Sequence, residues 1–137
     1  MDVIIKESQR VNSYFKAWKE YNIDLLRHIF TPNAKYVIRG KRTYYGIDQI
    51  VEYWKKNQKR QKELQLYWKI KKSTPRCEIV KFGAYFFDIT TGLYNKINGE
   101  IIFKFDEKNR ILVLTEAYTK RTNFKRHYEE KSVNKIL

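Results

Sequence analysis

The chain has 137 residues with 42% hydrophobic and 16% aromatic content, enough for one domain with one core and too apolar for a disordered chain. Its formal charge of +14 draws anions, while a lone cysteine, Cys77, excludes an internal disulfide and a thiolate zinc cluster. Asp2, Lys6, Glu7 and Arg10 interrupt the first ten residues and no run approaches a membrane span, so a soluble cytoplasmic protein without a signal peptide is expected.

Val11, Tyr14, Phe15, Trp18 and Tyr21 recur at helical spacing, so residues 3–20 read as an amphipathic helix. Asn22 caps a second helix, with Asp24 in its first turn at the positive end of the dipole. That helix uses Leu25, Leu26, Ile29 and Phe30, and Pro32 stops it. A short strand follows at 34–38, Gly40 breaks it, and 42–45 is its partner. Gly46 opens a third helix with Ile47, Ile50, Val51 and Trp54 on one face. The period then changes to two, with Leu64, Leu66, Trp68 and Ile70 alternating against Gln65, Tyr67, Lys69 and Lys71. Residues 78–90 form a second long strand, apolar on both faces, that turns at Thr91 and Gly92. The next strand puts Ile97, Gly99, Ile101, Phe103 and Phe105 on one face, and residues 110–119 form the last. Residues 1–119 are a single domain, and 120–137 are a basic tail in which Phe124, Tyr128 and Ile136 hint at a short helix. Helices gathered on one face of an antiparallel sheet give the α+β class.

Three phrases carry a resemblance: Leu26 to Ala34, Tyr45 to Trp54, and Gly99 to Asp106 continuing through Arg110 and Ile111 to Glu116. In these the chain resembles the nuclear transport factor 2-like superfamily, in its SnoaL-like and ketosteroid-isomerase-like branches, over about residues 8–119. The resemblance implies a cone-shaped, cystatin-like fold: a curved mixed or antiparallel sheet with three N-terminal helices on its concave face. It also implies a pocket between helices and sheet, and a homodimer through the outer sheet face. The isomerase-like enzymes place a tyrosine donor in the first helix, and Tyr14 falls there. Their general-base aspartate lies four residues beyond the matched alanine, where this chain has Ile38. Their protonated acid lies two residues before Phe103-Lys104-Phe105, where this chain has Ile101. The isomerase route is therefore closed, while the polyketide-cyclase branch, whose acids vary in placement, stays open.

If the matched phrases set the pleat, Ile101, Phe103 and Phe105 face inward, and Leu112, Leu114, Glu116 and Tyr118 share that face on the last strand. A carboxylate among apolar positions loses solvation, which lifts its pKa and suits Glu116 to general acid or base work. Pairing with a basic residue at the sheet rim is the other reading of Glu116. Asp88 closes the series Val80, Phe82, Ala84, Phe86; it is either a second carboxylate near Glu116 or, as preferred, the cap of the turn at 90–92. Tyr14 is a donor for an oxyanion or a core tyrosine. Trp18, Trp54, Phe86, Ile101, Phe103, Leu114 and Tyr118 are taken as ligand-lining, with Tyr36 and Ile38 on the opposite wall. His28 and His127 have no partners at ligand spacing, and no glycine-rich phosphate loop is present, so neither metal nor cofactor is assigned.

The resulting expectation is a small-molecule-binding domain for an apolar or aromatic ligand. If it is an enzyme, it moves a proton on a carbonyl compound, with Glu116 as shuttle and Tyr14 at the oxyanion. A binding module without chemistry is the first alternative, favoured by Ile38 and Ile101. The second is an anion- or nucleic-acid-binding accessory protein using residues 55–72, where eight basic residues face Glu63 alone. A solvated lysine-rich face is preferred to that, because no aromatic ribonucleoprotein motif accompanies the segment.

Overall fold

The computed structural model of the protein describes residues 4–123. The first apolar stripe forms α1 (Arg10–Glu20), entered through a 3-10 turn at Glu7–Gln9, and buries Val11, Tyr14, Phe15, Ala17 and Trp18. The helix thus starts later than residue 3, because Lys6 is still extended at φ −78°, ψ 142°. Tyr21 ends α1 in the left-handed region at φ 48°, and Asn22 then accepts from the Leu25 N–H at 3.0 Å, capping α2 (Ile23–Ile29) as its side chain allows. Pro32 does not end this helix. The chain has already become β1 (Phe30–Ile38) two residues earlier. The next strand, β2 (Arg42–Tyr45), pairs only with residues 35–38, so the missing N–H of Pro32 lies where β2 does not reach.

Gly46, at φ 83°, turns β2 into α3 (Ile47–Arg60) and donates its N–H to the Ala34 carbonyl at 2.7 Å. Four long strands follow: β3 (Gln61–Thr74), β4 (Cys77–Asp88), β5 (Leu93–Phe105) and β6 (Ile111–Asn123). The sheet order is β2-β1-β6-β5-β4-β3, with β1 and β6 parallel and every other pair antiparallel. The architecture is the α+β cone: an open, mixed six-stranded sheet with three helices packed on one face.

Three details depart from expectation. The last strand runs to Asn123, four residues into the segment read as tail, because β5 continues to pair with it as far as Tyr94. The helix hinted at by Phe124, Tyr128 and Ile136 lies outside the described residues. Leu112 is exposed rather than inward, since a register shift between Lys104 and Phe105 gives its inward place to Ile111. On β3 the inward alternation holds, but the strand is an edge that outruns the helices. Trp68 and Ile70 are left half exposed, with Trp68 stacked on Phe15 at 4.5 Å between ring centres.

The core lies between the helices and the inner faces of β1, β6, β5 and β4. One closed end is fastened by a buried ion pair. Arg10 donates to Glu78 at 2.8 Å and also to the carbonyls of Thr74 and Pro75 and to the Asn109 side chain, while its guanidinium lies 3.9 Å from the Phe105 ring centre. All three guanidinium nitrogens have partners, so α1 is tied to the β3–β4 and β5–β6 turns at once. No helix among the described residues is long and apolar enough to cross a membrane.

Candidate functional site

Alternation along β6 sends Leu114, Glu116, Tyr118 and Lys120 to the inner face. Parallel pairing with β1 sets Ile38 beside Glu116, and antiparallel pairing with β5 sets Ile101 on its other side. A carboxylate flanked on both sides by isoleucines has no polar lateral neighbour in its row. Gly99 permits the close approach of β5 that holds Tyr118 in place, since a Cβ there would meet the Ala117 carbonyl at 2.0 Å.

Between this face and the helices lies a cavity of about 310 Å³. α1 contributes Tyr14 and Trp18, β1 contributes Tyr36 and Ile38, and α3 contributes Tyr53, Trp54, Asn57 and Arg60. β4 adds Phe86 and Asp88, β5 adds Ile97, and β6 adds Glu116, Tyr118 and Lys120. Tyr21, Lys41, Arg42, Tyr44 and Gln61 complete the lining.

Glu116 is 4% exposed, and burial pushes its carboxyl up to about 7 against the smaller opposing effects of the Tyr36 hydrogen bond and the Lys41 charge. Tyr36 donates to its Oε2 at 3.4 Å, and the Tyr14 hydroxyl lies 3.2 Å from that of Tyr36. With Tyr36 donating to the carboxylate, Tyr14 donates to Tyr36, making a chain of three groups. Burial, then the Glu116 charge, pushes both phenols well above their ordinary value, so they stay protonated donors at neutral pH. Tyr53 is pushed up in the same way. The cavity wall thus holds one carboxyl poised between its two forms and two neutral hydroxyl donors. That combination can take a proton from carbon and stabilise charge on an adjacent oxygen.

Of the residues singled out in the sequence, Tyr14, Trp18, Ile38, Trp54, Phe86, Asp88, Glu116 and Tyr118 come together around this cavity. Ile101, Phe103 and Leu114 do not line it. They are fully enclosed in the layer behind, where Phe103 meets the edge of Tyr14 with ring centres 5.1 Å apart. Asp88 is not a partner for Glu116. β5 separates their strands, and the residues that face them, Leu93 and Ile101, stand eight positions apart on it. Burial alone would raise the Asp88 carboxyl, but the Thr90 side chain, Arg60 Nη2 at 2.8 Å and the Thr90 N–H together hold it at about 2. It is ionised at neutral pH and serves as the cap of its turn.

The sequence reading put Tyr36 on the wall but missed its place between Tyr14 and Glu116. It also missed the polar stripe of α3, although Tyr53, Asn57 and Arg60 stand at the helical spacing that signals a second face, which Gln61 at the start of β3 extends. The cations Lys41 and Arg42 reach the cavity only because β2 folds back on β1, which local sequence does not reveal. Among the described residues no group of three or more His, Cys, Asp or Glu side chains is placed to hold a metal ion.

Comparison with known proteins addresses the fold. No family model matches the sequence, and no curated protein matches it significantly. Solved structures do match, 277 chains of them, which makes the fold secure and too common to name an activity. SalBIII, an epoxide hydrolase/cyclase-like enzyme with a role in pyran ring formation in the polyether salinomycin, superposes with a TM-score of 0.73 at 20% identity, covering 82% of this chain and 90% of that one. A SnoaL-like polyketide cyclase, so described, from Shewanella denitrificans OS-217 gives 0.73 at 15% identity, with 82% and 90% covered. A protein of ketosteroid isomerase-like fold from Catenulispora acidiphila, in complex with trimethylamine, gives 0.72 at 13%, with 83% and 88% covered. The chain therefore has the nuclear transport factor 2-like fold, in the form shared by SnoaL-like and ketosteroid isomerase-like proteins.

Proposed function

We propose that the cavity binds a small aromatic or oxygen-bearing carbonyl compound and that Glu116 moves a proton on it. The observation that carries this is a buried carboxyl with a pKa near 7, facing a cavity beside two protonated tyrosines. In the carboxylate form Glu116 takes a proton from the carbon next to the carbonyl. The C–H electrons move into a C=C bond, and the carbonyl oxygen becomes an enolate oxygen, which accepts from the Tyr36 hydroxyl. Tyr14, donating to Tyr36, holds that hydroxyl in place. Protonated Glu116 then returns its proton, either to another carbon in an isomerisation or to the alkoxide formed when the enolate carbon closes onto a second carbonyl. No other reagent is required. The tyrosines, Asn57 and Gln61 of the lining support an oxygenated ring system in place of the largely apolar ligand expected from sequence.

The experiment is proton exchange at the α-carbon of 2-tetralone in heavy water, followed by NMR, with binding measured separately by calorimetry. The wild-type protein accelerates exchange, and Glu116→Gln binds the ketone with similar affinity and does not. Equal exchange in the two proteins removes Glu116 from the chemistry, and binding without exchange in either favours the module that binds only.

A further inference from the structure

We infer that the ligand of this cavity carries an anionic oxyacid group, such as a carboxylate, at the end remote from its carbonyl. This rests on the reading of the cavity given above and adds the class of compound to it. The lining includes four cations, Lys41, Arg42, Arg60 and Lys120, against the two carboxyl groups of Asp88 and Glu116. Arg60 is already engaged, 2.8 Å from Asp88. The other three make no ion pair with a carboxylate among the described residues. Two of them are held at the cavity by aromatic rings. Lys41 donates to the Tyr118 hydroxyl at 2.9 Å with its ammonium 4.4 Å from that ring's centre, and the Arg42 guanidinium lies 5.3 Å from the Tyr44 ring. A cation supported this way is held at the cavity without a carboxylate paired to it.

The spacing along β6 gives the ligand a direction. Leu114 is enclosed, Glu116 is the acid, Tyr118 is half-buried and Lys120 is exposed, so polarity and solvent access rise together along one strand face. Four residues of strand separate Glu116 from Lys120, about 13 Å between their backbones. A compound with its carbonyl at Glu116 and its anion toward Lys120 is therefore about two fused rings long; Lys41 meets Tyr118 between the two, and Arg42 stands across Ile38 in the row of Glu116, on the β2 side. Such an anion is recognised at the wet end, where pairing costs little desolvation, while the ring system enters the aromatic lining.

The test compares 6-acetyl-2-naphthoate with its methyl ester by calorimetry at low salt. The naphthoate is expected to bind at least roughly tenfold tighter. In the triple variant Lys41→Gln, Arg42→Gln, Lys120→Gln that preference is lost while ester affinity is kept, which also reports an intact fold. A second triple variant, Lys55→Gln, Lys56→Gln, Lys59→Gln, removes as much charge from α3 outside the cavity and keeps the preference. Equal binding of the two compounds to wild type, or a preference that survives loss of the cavity cations, overturns the inference and leaves the cavity reading standing. Failure of wild type to bind either compound overturns both.

Discussion

Replacing Glu116 by Gln separates the energetic consequence of its burial from its chemistry. In the unfolded chain this carboxyl titrates at 4.5, and in the folded protein burial moves it to about 7. Between those values the folded state keeps a proton that the unfolded state has released, so stability falls as pH rises through that window. Each unit of difference is worth about 1.4 kcal/mol, so the loss from about pH 4.5 to above pH 7 totals about 3 kcal/mol. For a domain of this size that corresponds to a drop in Tm of roughly 10 °C. Gln stands in for the protonated acid with the same shape and no charge, so the variant matches wild type near pH 4 and exceeds it by about 3 kcal/mol near pH 8.5. Urea unfolding at the two pH values reads this directly, and any other group that titrates in the window cancels in the difference between proteins. Asp88, held at about 2, contributes stability that is lost only as pH falls through the acid range, outside this window. A wild-type protein whose stability is level from about pH 5 to 8.5, or a variant with the same slope, would refute the burial argument. A variant that is more stable and inactive is the pairing expected of a residue kept for function at the expense of the fold.

Tyr36→Phe removes the hydrogen bond that lowers the Glu116 carboxyl, so the Glu116 titration followed by carbon-detected NMR should move upward from about 7; an unmoved midpoint would mean the 3.4 Å contact carries no weight. Arg10→Met leaves Glu78 buried without its partner and should cost about 3–5 kcal/mol in urea unfolding, with much of the loss recovered when Glu78→Leu is added. A double variant no better than the single one would show that the turns depend on Arg10 itself. On the outer face, cross-strand pairing sets Lys69 opposite Lys81 and Lys96 opposite Arg121, so the homodimer expected through that face should strengthen between about 50 and 500 mM salt as repulsion is screened. A sedimentation mass that is flat or falling over that range counts against this face.

Most of the architecture was legible in the sequence because its signals are local. The stripe of α1, the Asn22 cap, the Gly46 turn and the alternation of β3 and β5 each follow from neighbours a few residues apart. What escaped depends on distant partners. Pro32 reads as a helix stop, yet it is tolerated in β1 because β2 is too short to reach it. Leu112 alternates inward on paper, and one register shift against β5 turns it out. The same holds for the site. The inward placement of Glu116 was recoverable once the matched phrases set the pleat, whereas Ile101, Phe103 and Leu114 share that inward face but lie behind the cavity wall. Depth depends on how far the helices cover the sheet, and periodicity carries no information about that.

The two isoleucines that closed the isomerase route also account for the acid that remains. Ile38 and Ile101 stand on either side of Glu116 in one row of the sheet, so the positions where the resemblance expects carboxyl groups flank the one carboxyl this row has. With acids at both positions, charge repulsion and differing surroundings would hold their pKa values apart and divide the work of acid and base between them. With isoleucine at both, no neighbouring charge pushes Glu116 either way in its row. Burial raises it, one hydrogen bond from Tyr36 and the more distant Lys41 lower it, and the balance falls near 7. A single group that must first accept and then return a proton works best near that value, where both forms are populated at neutral pH. Isoleucine at both flanking positions and the poise of Glu116 are thus one arrangement.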